Sequence, residues 1–199
     1  PRLAPTMPTI FMGTRGALNF DLVVKFREGG HHSGNWGGLL ANPAVVLCHA
    51  IAAIIDAKGH VNASELMPDA MPASVKRALA DVVVDPGPDG PEINDWWGAR
   101  GLTQAEKVFG WNTFEVLAMV SGNPERPVNA VPPRAKAHCQ IRFTVDKDPD
   151  SFLPALQKFL DEKGFSAVKV VGPSHDVMNA TRIDPDHPAV QWAVRSITQ

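Results

Sequence analysis

Seven residues, His32-Ser33-Gly34-Asn35-Trp36-Gly37-Gly38, lie between an alternating strand pattern and an apolar helix pattern. An imidazole on a glycine-flanked loop between two rigid elements can reach out of its own domain, and such loops are where binding and catalysis concentrate. The same residues also read as a Gly-rich turn carrying a solvated histidine, and the loop alone does not decide between the two. Two more polar residues stand out by position. Asn129 lies in Pro127-Val128-Asn129-Ala130-Val131-Pro132, just ahead of a strand pattern, where an ordinary turn residue is the alternative. Arg142 lies on the polar parity of that strand, where a plain surface arginine is the alternative.

The remaining titratable candidates carry less. His31, His49, His60, His138, His175 and His187 are scattered, and no pair has a spacing suited to zinc. His31 beside His32 does not make an ion site, because adjacent residues seldom converge on one ion. No metal site is expected in this chain. His49 reads as a core or interface histidine on a buried helix. Cys48 and Cys139 fall in a helix pattern and a strand pattern, and read as reduced core thiols rather than a disulfide.

The elements that must hold these residues follow from periodicity. A strand over about 17–26 places Leu18, Phe20, Leu22, Val24 and Phe26 on one parity and Asn19, Asp21 and Lys25 on the other. A helix starts at Asn42-Pro43, with Asn42 as its cap, and is expected to stop at Gly59. Its interior, from Ala44 to Ile55, is apolar almost all round, so it must bury a second face beyond the one laid on a sheet. Residues 60–110 read as an insertion, with one short helix at about 73–82 and a Pro/Gly-rich stretch at 85–91. Trp96 and Trp97 are expected to plug it against the core. A second strand is expected at about 113–120.

The third strand is the clearest. Ala135, Ala137, Cys139, Ile141, Phe143 and Val145 alternate with Arg134, Lys136, His138, Gln140, Arg142 and Thr144. A helix at about 150–163, closed by Gly164, and a strand at about 167–171 complete the series. The order β-α-β-β-α-β predicts an α+β two-layer sandwich: a four-stranded antiparallel sheet with both helices on one face, ferredoxin-like, plus the insertion. The other face, with Arg134, Lys136, His138, Gln140 and Arg142, must meet water or another domain.

The chain has 199 residues, 44% hydrophobic and 20% charged, with net charge −2. That size suits one packed domain with appendages. The charge does not point to nucleic acid or an anionic membrane, and no apolar run approaches the roughly 20 residues that span a bilayer. With no signal peptide in view, a cytoplasmic location is the default. The start at Pro1 and the stop inside an apparent helix, 189–197, suggest a piece of a longer protein.

These motifs resemble the lid, or dimerisation, domain of the di-zinc metallopeptidase family of carnosinases, glutamate carboxypeptidases, aminoacylases, acetylornithine deacetylase and succinyl-diaminopimelate desuccinylase. The matching pieces are Gly13-Thr14-Arg15-Gly16, His32-Ser33-Gly34 with Gly37-Gly38 and Asn42-Pro43, and Asn129-Ala130-Val131-Pro132 leading to Ile141-Arg142. Gly101-Leu102-Thr103 and Trp111-Asn112-Thr113 in the insertion are similar to carnosinases. The resemblance implies a homodimer built by the first helix and a sheet edge. It implies that His32 donates to the scissile carbonyl oxygen in the partner subunit, that Arg142 binds the free carboxylate of a dipeptide or N-acyl amino acid, and that Asn129 bonds the same end of the substrate. It further implies two zinc or similar divalent ions held by His-x-Asp, bridging Asp and Glu-Glu motifs, none of which can be placed here. On this expectation residues 1–14 link from an absent catalytic domain, 15–172 form the lid, 173–199 return to the catalytic domain, and the piece alone is inactive.

Two other classes share this topology. A stand-alone ligand-binding or regulatory module would need its own pocket and natural termini. An RNA-binding module would need aromatic residues on the open face of the third strand. That face carries none.

Overall fold

Alternating apolar residues put one side of each long strand into a common core, and the chain folds around that constraint. The computed structural model describes residues 9–172 and 177–197; residues 1–8, 173–176 and 198–199 lie outside it, and His175 with them. In chain order the elements are β1 (Gly13–Thr14), β2 (Gly16–Lys25), β3 (His31–His32), α1 (Ser33–Trp36) and α2 (Pro43–Ile54). A 3-10 turn (Ser64–Leu66), α3 (Ala73–Leu79) and α4 (Gln104–Phe109) follow, then β4 (Thr113–Ser121), β5 (Ala130–Val131) and β6 (Arg134–Phe143). Last come α5 (Pro149–Glu162), β7 (Val168–Val171), β8 (Thr181–Arg182) and α6 (Pro188–Ile197).

The main sheet has the order β4-β6-β2-β7, antiparallel throughout. β2 and β6 pair along their whole length, from Gly16 opposite Phe143 to Lys25 opposite Arg134. Leu18, Phe20, Leu22 and Val24 of β2 and Ala135, Ala137, Cys139, Ile141 and Phe143 of β6 are buried. Onto that face α2 lays Leu47, Ala50 and Ile54, and α5 lays Phe152, Leu156 and Leu160. This is the two-layer α+β sandwich that the order of elements predicts.

Several local expectations change. Asn42 caps α2 as expected, its Oδ1 accepting from the Ala44 N–H at 3.0 Å. The helix ends at Ile54, not at Gly59, because Ile55 turns extended and pairs with Val61. The Asp56 carboxylate then gathers the Lys58 and His60 N–H groups at 2.8 and 2.9 Å, and Gly59 serves that turn with φ +75°. Cys48 and His49 are exposed, not core residues. Only one face of α2 meets the sheet, and the 3.6-residue period turns Val45, Cys48, His49 and Ala52 away from it. Phe26 and Val145, just past the ends of β2 and β6, are exposed.

Trp96 and Trp97 do not plug the core. They are 61% and 41% exposed and pack edge-to-face on each other at 5.5 Å, with Trp97 lying over Gly59. The insertion is also more ordered than expected. Thr103 and Glu106 start α4 with a reciprocal capping box, Glu106 Oε2 accepting from the Thr103 N–H at 2.8 Å.

Candidate functional site

His32 sits where β2 has ended and the chain doubles back. β3 pairs with β5, His31 opposite Val131 and His32 opposite Ala130. The Ser33 N–H and Oγ both donate to the Asn129 carbonyl, at 2.9 and 3.1 Å. The Arg27 guanidinium clamps the base of the loop by donating to the Pro132 and Ala41 carbonyls at 3.3 and 2.9 Å. His32 and Asn129 are thus brought together. His32 is exposed, and its Nδ1 accepts from the Gly34 N–H at 3.1 Å. With Nδ1 accepting, the proton of the neutral ring sits on Nε2, which is left as a donor. A side chain at position 34 would meet the His32 ring at 2.8 Å, which is why glycine follows the serine.

Arg142 lies at the other end of the sheet. It faces Ala17 on one side and Thr113 on the other, whereas the Asn129 segment enters beside Arg134. The eight residue steps from Arg134 to Arg142, at about 3.3 Å each, put roughly 26 Å between the two ends of that strand. Asn129, grouped with Arg142 by the resemblance, therefore neighbours His32 within this chain. Arg142 is half-buried, and Arg15 lies beside it, half-buried, donating to the Trp111 carbonyl at 3.2 Å. Burial first, and then the charge of Arg142, push Arg15 down to about 10, against a partial pull the other way from Glu115. Burial pushes the Glu115 carboxyl up, opposed by the Thr113 hydroxyl and the charge of Arg15.

Between the two ends the open face is knitted by polar pairs. Gln140 donates to Asn19 at 2.8 Å, and Asp21 takes His138 and Lys136 at 2.8 and 2.7 Å. Burial raises the Asp21 carboxyl, but the bonds from Lys136 and His138 outweigh it and hold it below the ordinary carboxylate range. Asn112 anchors the insertion near Arg142. Its amide donates to the Leu66 carbonyl at 2.7 Å, and its carbonyl accepts from the Thr144 N–H at 2.8 Å. Arg15, Arg27 and Asn112 escaped the sequence reading as functional residues. Arg15 and Asn112 lie within the Gly-Thr-Arg-Gly and Trp-Asn-Thr motifs, whereas Arg27, just past the first strand pattern, carries no signal in its spacing.

Among the described residues no three His, Cys, Asp or Glu side chains group so as to hold a metal ion. The described residues do not fit a zinc centre. What the chain does expose is apolar surface. β4 is an edge strand, and Val116, Leu117, Met119 and Val120 are 40–54% exposed on it. Nearby, the outer stripe of α2 (Val45, Cys48, His49, Ala52) carries no charged Lys, Arg, Asp or Glu.

A family model described as the peptidase dimerisation domain matches residues 12–167. Beta-Ala-His dipeptidases of Rattus norvegicus and Homo sapiens are 36% identical over 59 residues and 39% identical over 54 residues. Those stretches cover 30% and 27% of this chain but only 12% and 11% of the relatives. Among solved structures, the M20 family metallo-carboxypeptidase Sso-CP2 from Sulfolobus solfataricus superposes with a TM-score of 0.75 at 22% identity, over 98% of this chain and 52% of that one. Human carnosine dipeptidase 1 gives 0.71 at 18% identity, over 99% and 44%; the Saccharomyces cerevisiae di-peptidase Dug1p gives 0.70 at 16%, over 98% and 42%. The chain thus spans about half or less of these structures, and at such identities they speak for the fold alone. The family match covers most of the chain, and on that ground it belongs to the peptidase dimerisation domain family of the M20 metallopeptidases.

Proposed function

We propose that this chain is the dimerisation and substrate-capping domain of a zinc-dependent amidohydrolase or peptidase acting on dipeptides or N-acyl amino acids. The observation that carries the reading is that His32 and Asn129 lie beyond the Arg134 end of β6 while Arg142 lies at its other end. A dipeptide is far shorter than the roughly 26 Å of strand between those ends, so on this reading one chain does not offer it both. Two chains can. If the β4 edges pair antiparallel about a two-fold axis, the Thr113 end of one strand lies beside the Ser121 end of the other. Thr113 faces Arg142, and Ser121 faces Ala135 near the His32 loop. Such a dimer sets Arg142 of one protomer toward His32 and Asn129 of its partner, and it covers the apolar edge and the outer stripe of α2.

In that arrangement Arg142 grips the carboxylate with its planar fork, which a lysine does not reproduce. The His32 Nε2–H donates to the substrate carbonyl oxygen as negative charge grows on it. A donor of this kind contributes on the order of 3 kcal/mol, or about 10²–10³ in rate. Zinc, bound in the rest of the parent protein, would supply an activated water. The chain by itself is therefore inactive on this reading. Residues 1–14 and 173–199 connect it to the catalytic domain. No helix among the described residues is long and apolar enough to cross a membrane, and we assign the parent to the cytoplasm.

The test is complementation. In the parent enzyme His32→Ala loses most of kcat while keeping its zinc. Mixing it with a variant lacking the metal ligands restores activity, because one complete site forms in the mixed dimer. Absence of rescue overturns the reading.

A further inference from the structure

The β1–β8 ladder and helices α3 and α4 enclose a groove of about 610 Å³. Val75 and Leu79 of α3, Val108 and Phe109 of α4, and Phe11 and Ile183 supply apolar walls. Three arginines line it, Arg15, Arg142 and Arg182, and among the described residues no acidic side chain does. Arg182 is already spent on Asp146, in a forked pair at 3.0 and 3.1 Å. Arg142 has no acid or side-chain acceptor among the described residues. Among the described residues Arg15 makes one hydrogen bond, to the Trp111 carbonyl, and Glu115 acts on it only through charge from the other side.

Register explains why the last two meet. Gly16 pairs with Phe143 and Ala17 with Arg142, so Arg15, on the parity of Ala17, projects from the same open face diagonally beside Arg142. Glu115 borders a separate cavity of about 720 Å³ under the insertion, with Arg15 in the shared wall. The groove is thus a greasy trough ending in two guanidiniums, with no acidic side chain among the described residues that line it.

We propose that Arg15 is a second anion-binding residue beside Arg142, and that the groove takes an organic carboxylate with an apolar body. The carboxylate lies against both guanidiniums and the apolar part runs along Val108 and Phe109. This rests on the reading of Arg142 as the carboxylate contact, and it adds that the carboxylate-bearing residue of the substrate is large and apolar.

Titration calorimetry of the complete protein with N-acetyl-L-phenylalanine, its amide and N-acetylglycine tests both halves. The acid is expected to bind about tenfold tighter than the amide and about tenfold tighter than N-acetylglycine. Arg15→Gln should weaken the acid about tenfold without touching the amide. Phe109→Ser should bring N-acetylphenylalanine down to N-acetylglycine. If Arg142→Gln abolishes acid binding and Arg15→Gln leaves it unchanged, the proposal fails and the reading of Arg142 stands. If neither matters, the reading of Arg142 fails as well. Should Arg15→Gln not fold, having lost its link to Trp111, Arg15→Lys decides. It keeps the charge without the fork and is expected to weaken the acid about threefold; acid binding equal to wild type overturns the role of Arg15. Equal binding of acid and amide, or of N-acetylphenylalanine and N-acetylglycine, overturns the carboxylate half or the apolar half respectively.

Discussion

A neutral imidazole donates from one nitrogen only, and its neighbour chooses which. At His32 the neighbour is the Gly34 N–H, so the loop favours the tautomer with Nε2 as the donor, the one that the proposed oxyanion contact uses. The glycines mark this loop in the sequence, but the choice of nitrogen is set by a backbone turn that spacing does not encode. Arg15 and Arg27 illustrate the same limit. An arginine at a strand end looks like any solvated cation until strand register says what stands beside it. Asp21 is different: the strand alternation places it on the open face, and the structure adds its partners, Lys136 and His138. Its carboxyl is held below the unfolded value near 3.8, so its contribution to stability is complete well above that value and is lost as the pH falls from there through the lower folded-state value. The urea midpoint should therefore drop as the pH falls below about 4, and Asp21→Asn should flatten that drop. An acid limb equally steep in Asp21→Asn would place the titration elsewhere.

At the scale of elements, α2 shows which signals are local enough to read. The Asn42 cap and Pro43 act within one turn, and both do in the structure what their residue types dictate. Asn42→Ala should cost about 1 kcal/mol, seen as a lower urea midpoint at unchanged slope, because the Ala44 N–H loses its acceptor. No change would mean that water replaces the cap without loss. The stop at Gly59 was not legible in the same way. A glycine after an apolar run signals a C-cap, yet here the Ile55–Val61 pairing ends the helix five residues earlier. That pairing is a tertiary choice. The long strands were readable because one face is buried and one is open, so period two survives in the residues. The capping box of α4 was present as Thr103-Gln104-Ala105-Glu106 but is too short a signal to stand out inside an irregular stretch.

At the scale of the whole molecule, the apolar excess of α2 suits the partner proposed above, but the sheet order, which leaves β4 and β7 as edges, and the exposed apolar run on β4 are needed to choose the edge that would share it. Period two does not distinguish an edge strand from a central one. Unpaired apolar edges invite association, and proteins that keep them normally cover them. Leu117→Lys, on the 54%-exposed centre of that edge, should shift the protein from dimer to monomer in sedimentation velocity while its circular dichroism stays unchanged. A dimer that survives the lysine would move the interface elsewhere. At the far side, β1 and β8 join the two ends of the sandwich through two residue pairs, with the Gly13 backbone so close to Thr181 that any side chain there would collide with its carbonyl at 2.1 Å. Two threads pinned side by side act as a clasp, and a bulkier residue than glycine at the pin would spring it open.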